Sequence, residues 1–155
     1  MGAALMAGII FPIRLQSIDA LIGVAHGRPR SLTAAETATL RDYVDLIIED
    51  IQDRWPVDTG TSRDGWQYEL YNHPPGIGFD LINEVEYSPY VSAAGDRGQP
   101  AYEILIPWAV GRHAPAMRAE LIRQINAEEQ RRRDREARAV RLPPPPGTLR
   151  PRVRR

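Results

Sequence analysis

Asp58 and Asp64, with Glu69 close behind, are the carboxylates of this 155-residue chain whose spacing suits acid/base or divalent-metal work. Their surroundings give a simpler account. Asp58 lies in Pro56-Val57-Asp58-Thr59-Gly60, where Asp58 and Thr59 can fold their side chains onto backbone amides and Gly60 supplies the positive φ of a tight turn. Asp64 reads as a solvated side chain. His26, His73 and His113 are far apart and show no H-x-x-x-H or H-E-x-x-H spacing, so they read as surface or loop residues. Ser62 and Ser88 sit in no nucleophile elbow. All twenty basic residues are Arg, which excludes Schiff-base and Walker-type lysine chemistry, and the lack of Cys excludes thiol nucleophiles, thiolate zinc and disulfides. The reading is no catalytic residue, no cofactor and no metal. A hydrolase built on Asp58, Asp64 and a divalent metal is the weakest of three functional readings.

The elements that would hold these residues follow from periodicity. Residues 9–15 are apolar around Pro12 and suit an edge strand or arm. Ile18, Leu21 and Ile22 have helical spacing over 17–25. Thr33 with Glu36 forms a capping box, and Leu40, Val44, Ile47, Ile48, Ile51 and Trp55 then make one apolar stripe, with Asp42, Asp45, Glu49, Asp50 and Asp53 on the opposite, exposed face. Pro56 ends that helix. Trp66, Tyr68 and Leu70 alternate with Gln67, Glu69 and Tyr71 in a strand; after turn residues 72–78 a returning strand is expected over 79–87, with Phe79, Leu81, Asn83, Val85 and Tyr87 on one side. Pro89 opens a helical turn that sets Tyr87 and Tyr90 against the sheet. A short strand is expected over 102–106, then a last helix from near Ala114-Pro115 to about 139, with Met117, Leu121, Ile122 and Ile125 inward. The expected fold is α+β: a small antiparallel sheet packed against a long amphipathic helix and a C-terminal helix. Residues 1–139 form that domain, and 140–155 form an extended Pro/Arg-rich arm.

Composition supports one globular domain, with 43% hydrophobic and 26% charged residues. The apolar run from Ala3 to Phe11 is too short for a membrane span and lacks the basic start of a signal peptide, so no membrane partner is expected. The formal charge of zero hides a bipolar chain. Residues 1–127 hold ten Arg against sixteen acids, a net of about −6, and residues 128–155 hold ten Arg against four, about +6. Such a chain can bring its basic end onto the acidic surface of another copy, or onto nucleic acid. Glu128, Glu129 and Asp134 precede Arg132, Arg133 and Arg138 by four residues, which gives favourable pairs on a helix that has lost its apolar stripe.

One resemblance covers residues 40–109. A helix ending in Pro56-Val57-Asp58-Thr59-Gly60, a polar segment closing in Arg63-Asp64-Gly65-Trp66, a strand pair and then Tyr87-Ser88-Pro89-Tyr90 resemble the tail-completion proteins (neck or minor tail components) of long-tailed bacteriophages and gene-transfer particles. Ile106-Pro107-Trp108-Ala109 is similar to the proline-containing segment before that family's last helix. One departure is Ser92-Ala93-Ala94-Gly95, where many members carry Glu-x-Gly-Thr. The resemblance implies a structural virion protein, made in the host cytoplasm, that forms a homo-oligomeric ring of about six copies at the head-tail junction. Its implied partners are itself and the neighbouring connector and tail-tube proteins, with passing contact to duplex DNA. Candidate subunit contacts are Asp58, Arg63, Trp66, Tyr90, Trp108, Arg131, Arg132, Arg133 and the tip Arg150, Arg152, Arg154 and Arg155. The rival reading is a nucleic-acid-binding module acting through the Arg-rich C-terminus.

Overall fold

Thr33 opens the best-specified element of the chain. In the computed structural model, which describes residues 8–56, 60–73, 76–95, 97–143 and 147, its hydroxyl accepts from the Glu36 amide, and the Glu36 carboxylate accepts from the Thr33 amide at 2.9 Å. This capping box starts helix α2 (Ala34–Arg54). Leu40, Val44, Ile47 and Ile51 on its inner stripe are completely buried. Each contributes about 1.5–3 kcal/mol relative to an exposed side chain.

Three strands form an antiparallel sheet in the order β1 (Ile9–Arg14), β3 (Gly78–Asn83), β2 (Trp66–Tyr71). Placing β1 at an edge accommodates Pro12, whose missing amide would break a central ladder. Central β3 is covered on both faces: Phe79 and Leu81 point into the core, while Asp80 accepts from Arg14 at 3.1 Å and from the Tyr71 hydroxyl at 2.7 Å. Helix α1 (Gln16–His26) buries Ile18 and Ile22 and ends at Gly27 in the left-handed region. A four-residue helical turn, α3 (Thr61–Asp64), leads into β2, and a 3-10 turn (Ser88–Tyr90) follows β3. The last helix, α4 (Ala101–Arg141), is 41 residues long, about 60 Å at 1.5 Å per residue. It packs on α1 and α2. Gln124 donates to Thr39 and His113 lies against Asp50, so α2 and α4 run antiparallel. The fold is α+β, a small three-stranded sheet with a long C-terminal helix.

Several expectations are corrected. No strand occupies 102–106 and the last helix does not start near residue 114; α4 begins at Ala101 and runs through Pro107 and Pro115. Each interior proline costs about 3 kcal/mol. Both face solvent, where the freed carbonyls can be hydrated, and the helix gains the burial of Ala101, Leu105, Ile106 and Ala109 in return. The returning strand stops at Asn83, not residue 87, because the Asn83 side chain turns back to accept from the Val85 amide. Tyr87 and Tyr90, expected to be set against the sheet, remain 44% and 65% exposed. The arm expected over 140–155 does not begin at 140, because α4 continues to Arg141; its polyproline part, 143–146, lies largely outside the described residues. Among the described residues no helix is long and apolar enough to cross a membrane.

Candidate functional site

The turn motif between α2 and β2 folds into a buried polar clasp. Trp55, at the C-cap of α2, donates its indole N–H to Ser62 Oγ at 2.9 Å, and Ser62 Oγ lies 2.5 Å from Ser88 Oγ. Ser88 donates to Asn83 Oδ1 at 3.0 Å, and Asn83 Nδ2 closes the ring on the Ser62 carbonyl at 2.6 Å. With Ser62 donating to Ser88, each of these protons has an acceptor. Trp66 stacks edge-on against Trp55 with centroids 5.2 Å apart. Gly60 enters α3 with φ 83, the positive value expected of it, and at Gly65 a Cβ would lie 2.9 Å from both Asn83 Oδ1 and Val85 Cγ2. Both serine hydroxyls are engaged within the clasp, with Trp55 and Asn83 as their further partners among the described residues. What the clasp does is join the end of α2, α3, β3 and the turn after it through a polar network in low dielectric.

Arg63 and Asp64 project from this clasp. Arg63 Nε donates to Asp64 at 2.8 Å, and that hydrogen bond holds the Asp64 carboxyl below its ordinary value. Asp58 lies outside the described residues. No group of three metal-ligating side chains occurs among the described residues.

The second region is the end of α4. Glu129, the last buried residue of the helix, accepts from Arg132 Nη2 and from Arg133 Nε, both at 2.8 Å, and lies 3.3 Å from His26 Nδ1 at the end of α1. The Arg132 hydrogen bond, followed by that of Arg133 and opposed by burial, lowers the Glu129 carboxyl to about 2. Burial, reinforced by Arg30 and then Arg132, lowers His26, and outweighs the pull of Glu129. His26 was expected at the surface and is instead half-buried, its ring turned in toward Glu129; His113 is half-buried on Asp50, and His73 is exposed as expected, 2.6 Å from Ser31 Oγ. Burial pushes the Glu36 carboxyl up, but two hydrogen bonds from Arg30 at 2.8 Å and one from the Thr33 amide bring it below its ordinary value.

Beyond Glu129 every residue from 130 to 143 is exposed except Arg132, which is half-buried. Arg131 and Arg135 pair with Glu128, and Arg132 also reaches Glu136 at 2.6 Å. Arg138 and Arg141 make no ion pair among the described residues, and Val140 and Leu142 beside them are 86% and 72% exposed.

The remaining candidates are scattered. Trp66 is 6% exposed and belongs to the core. Trp108 is half-buried beneath the Arg54 guanidinium, 4.2 Å from the ring centroid, with Arg112 at 5.6 Å. It lies about 37 Å along the helix from Arg133. Arg150, Arg152, Arg154 and Arg155 lie outside the described residues. On α2, Asp42, Asp45, Glu49 and Asp53 are exposed as expected, but Asp50 is held by Arg112 at 3.2 Å and by His113. Sequence reading missed the clasp, whose only local sign is a Ser within the turn motif, and it missed Glu129 as the point where the helix leaves the body.

Comparison of the chain with family models, with curated proteins and with solved structures gives no match.

Proposed function

We propose that this chain is a structural subunit of a phage particle, a tail-completion or neck protein that forms a ring at the head-tail junction and leaves a channel for DNA. The observation that carries the reading is the division of α4. Its first part is packed against α1 and α2 as far as Glu129, and residues 130–141 continue as helix with no apolar face buried in the fold. An isolated helical end of that length is marginal in water, so its natural use is against a partner. The Pro/Arg-rich sequence that follows Arg141 continues this device and reaches the next subunit or ring, where many weak contacts add through multivalency. The body supplies the ring contacts, in about six copies as the family resemblance implies. The turn motif that carries the resemblance is accounted for as the clasp that fixes the body's shape. Four of the six Arg between 131 and 141 are paired to Glu within the helix, which favours protein assembly over a continuous phosphate-tracking stripe.

Removal of residues 140–155 tests this. The truncated body is expected to melt as the full chain does, while heads and tails accumulate unjoined. Normal infectious particles from the truncation would overturn the arm's role, and absence of the chain from assembled virions would overturn the reading.

A further inference from the structure

The outer face of α2 and the projecting end of α4 complement one another in charge, and each carries exposed apolar side chains. Asp42, Asp45, Glu49 and Asp53 recur at helical spacing, so they form one stripe about 16 Å long. Asp42, Glu49 and Asp53 make no ion pair among the described residues, and Asp45 lies beside the Tyr68 hydroxyl. Leu46, 43% exposed, stands within the stripe. A groove of about 340 Å³ runs beside it, lined by Thr39, Asp42, Tyr43, Leu46 and Glu120. It is an acidic-rimmed groove with an apolar floor. The end of α4 offers the counterpart: Arg138 and Arg141 one turn apart, with exposed Val140 and Leu142.

The end of α4 cannot reach the groove of its own chain. Glu120 lines that groove and lies on the same helix as Arg138, which the continuous helix carries about 27 Å further on. We infer that the end of α4 docks in the α2 groove of a second copy of this chain, with Arg138 and Arg141 facing Asp42, Asp45 and Glu49, and Leu142, on the same side of the helix, covering Leu46 and Tyr43. The inference rests on the reading of the chain as an assembly subunit and names the contact by which copies join. Because donor and receiver are different surfaces, the contact is heterologous: it passes from copy to copy and closes into a ring if the rotation allows. Part of its attraction is screened by salt.

Charge reversal tests it on the full chain. Arg138→Glu/Arg141→Glu and Asp42→Arg/Glu49→Arg change only exposed side chains, so both proteins are expected to melt with the wild type. Native mass measurement and light scattering should show the wild type as an oligomer that weakens as salt is raised. Each double variant alone should lose self-association by roughly tenfold or more. Mixing the two variants should restore assembly, since every junction in an alternating array then pairs Arg with acid. A monomeric wild type would overturn the inference, as would an oligomer that either reversal leaves intact, or variants that stay apart when mixed. The two readings fail separately. An oligomer indifferent to both reversals sinks this contact and leaves the structural reading standing, whereas a chain missing from virions sinks that reading whatever the mixing experiment shows.

Discussion

The two parts of α4 use the same backbone for opposite purposes. From Ala101 to Glu129 the helix spends its apolar face on α1 and α2, and tolerates two prolines to do so. From residue 130 onward no described side chain is buried, and pairs such as Arg132 with Glu136 run along the helix. Exposed pairs of this kind contribute about 0.3–0.5 kcal/mol each. The lesson is that one continuous helix can be bound into a core over part of its length and leave it over the rest. Side chains before residue 130 carry the packing of the body, and those after it bury no apolar surface in the fold.

The strongest way to break that contrast is to make one chemical change on both sides of Glu129. Leu121 is completely buried and Leu142 is 72% exposed. Leu121→Ala is expected to lower the free energy of unfolding in urea by about 2–5 kcal/mol. Leu142→Ala is expected to change it by no more than about 0.5 kcal/mol and to act on association instead. Equal losses at the two positions would show that the helix end is packed after all.

The next effect concerns the clasp. Asn83→Ala would leave the Ser62 carbonyl, the Val85 amide and the Ser88 hydroxyl without the partner they now share. Orphaned buried groups cost about 1–3 kcal/mol each, partly relieved by water, so a loss of about 2–4 kcal/mol is expected in urea unfolding. Gly65→Ala should also lower the midpoint, because the added Cβ would press on Asn83 Oδ1 and on Val85 Cγ2. An Asn83→Ala protein as stable as the wild type would mean that the clasp contributes nothing beyond packing.

How much of this was legible in the sequence depended on the range of each signal. The start of α2 was legible because Thr33 and Glu36 satisfy one another within one turn, and its stripe because a single face is buried. The start of α4 was hidden. Pro107 argues locally against a helix, and what outweighs it is tertiary burial of Leu105, Ile106 and Ala109. Asn83 read as one more inward position of a strand; its role depends on Ser62, 21 residues away, and on Ser88. Acidic positions on α2 were legible as a face, but the loss of Asp50 to Arg112 and His113 required knowing that α4 runs antiparallel beside it.

The smallest effect tests the boundary itself. His26 lies below its ordinary 6.5 in the folded chain because it is buried among Arg30 and Arg132 as well as Glu129 and Glu36. A histidine with a lowered folded pKa binds its proton more readily when unfolded, so stability falls as pH drops below about 6.5. Glu129 has the complementary sign of a depressed carboxylate. Its contribution is complete above 4.5 and is lost as pH falls toward about 2. Melting temperature should therefore decline on acidification in two stages, the first erased in His26→Gln and the second reduced in Glu129→Gln. Both groups sit where α4 leaves α1, so acid should loosen the root of the projecting end before it unfolds the clasp. Amide exchange resolved by residue would show this as protection lost first around 126–133, with residues 62, 83 and 88 still protected. The reverse order would place the weak point of the molecule in the clasp and would remove Glu129 as the boundary between body and arm.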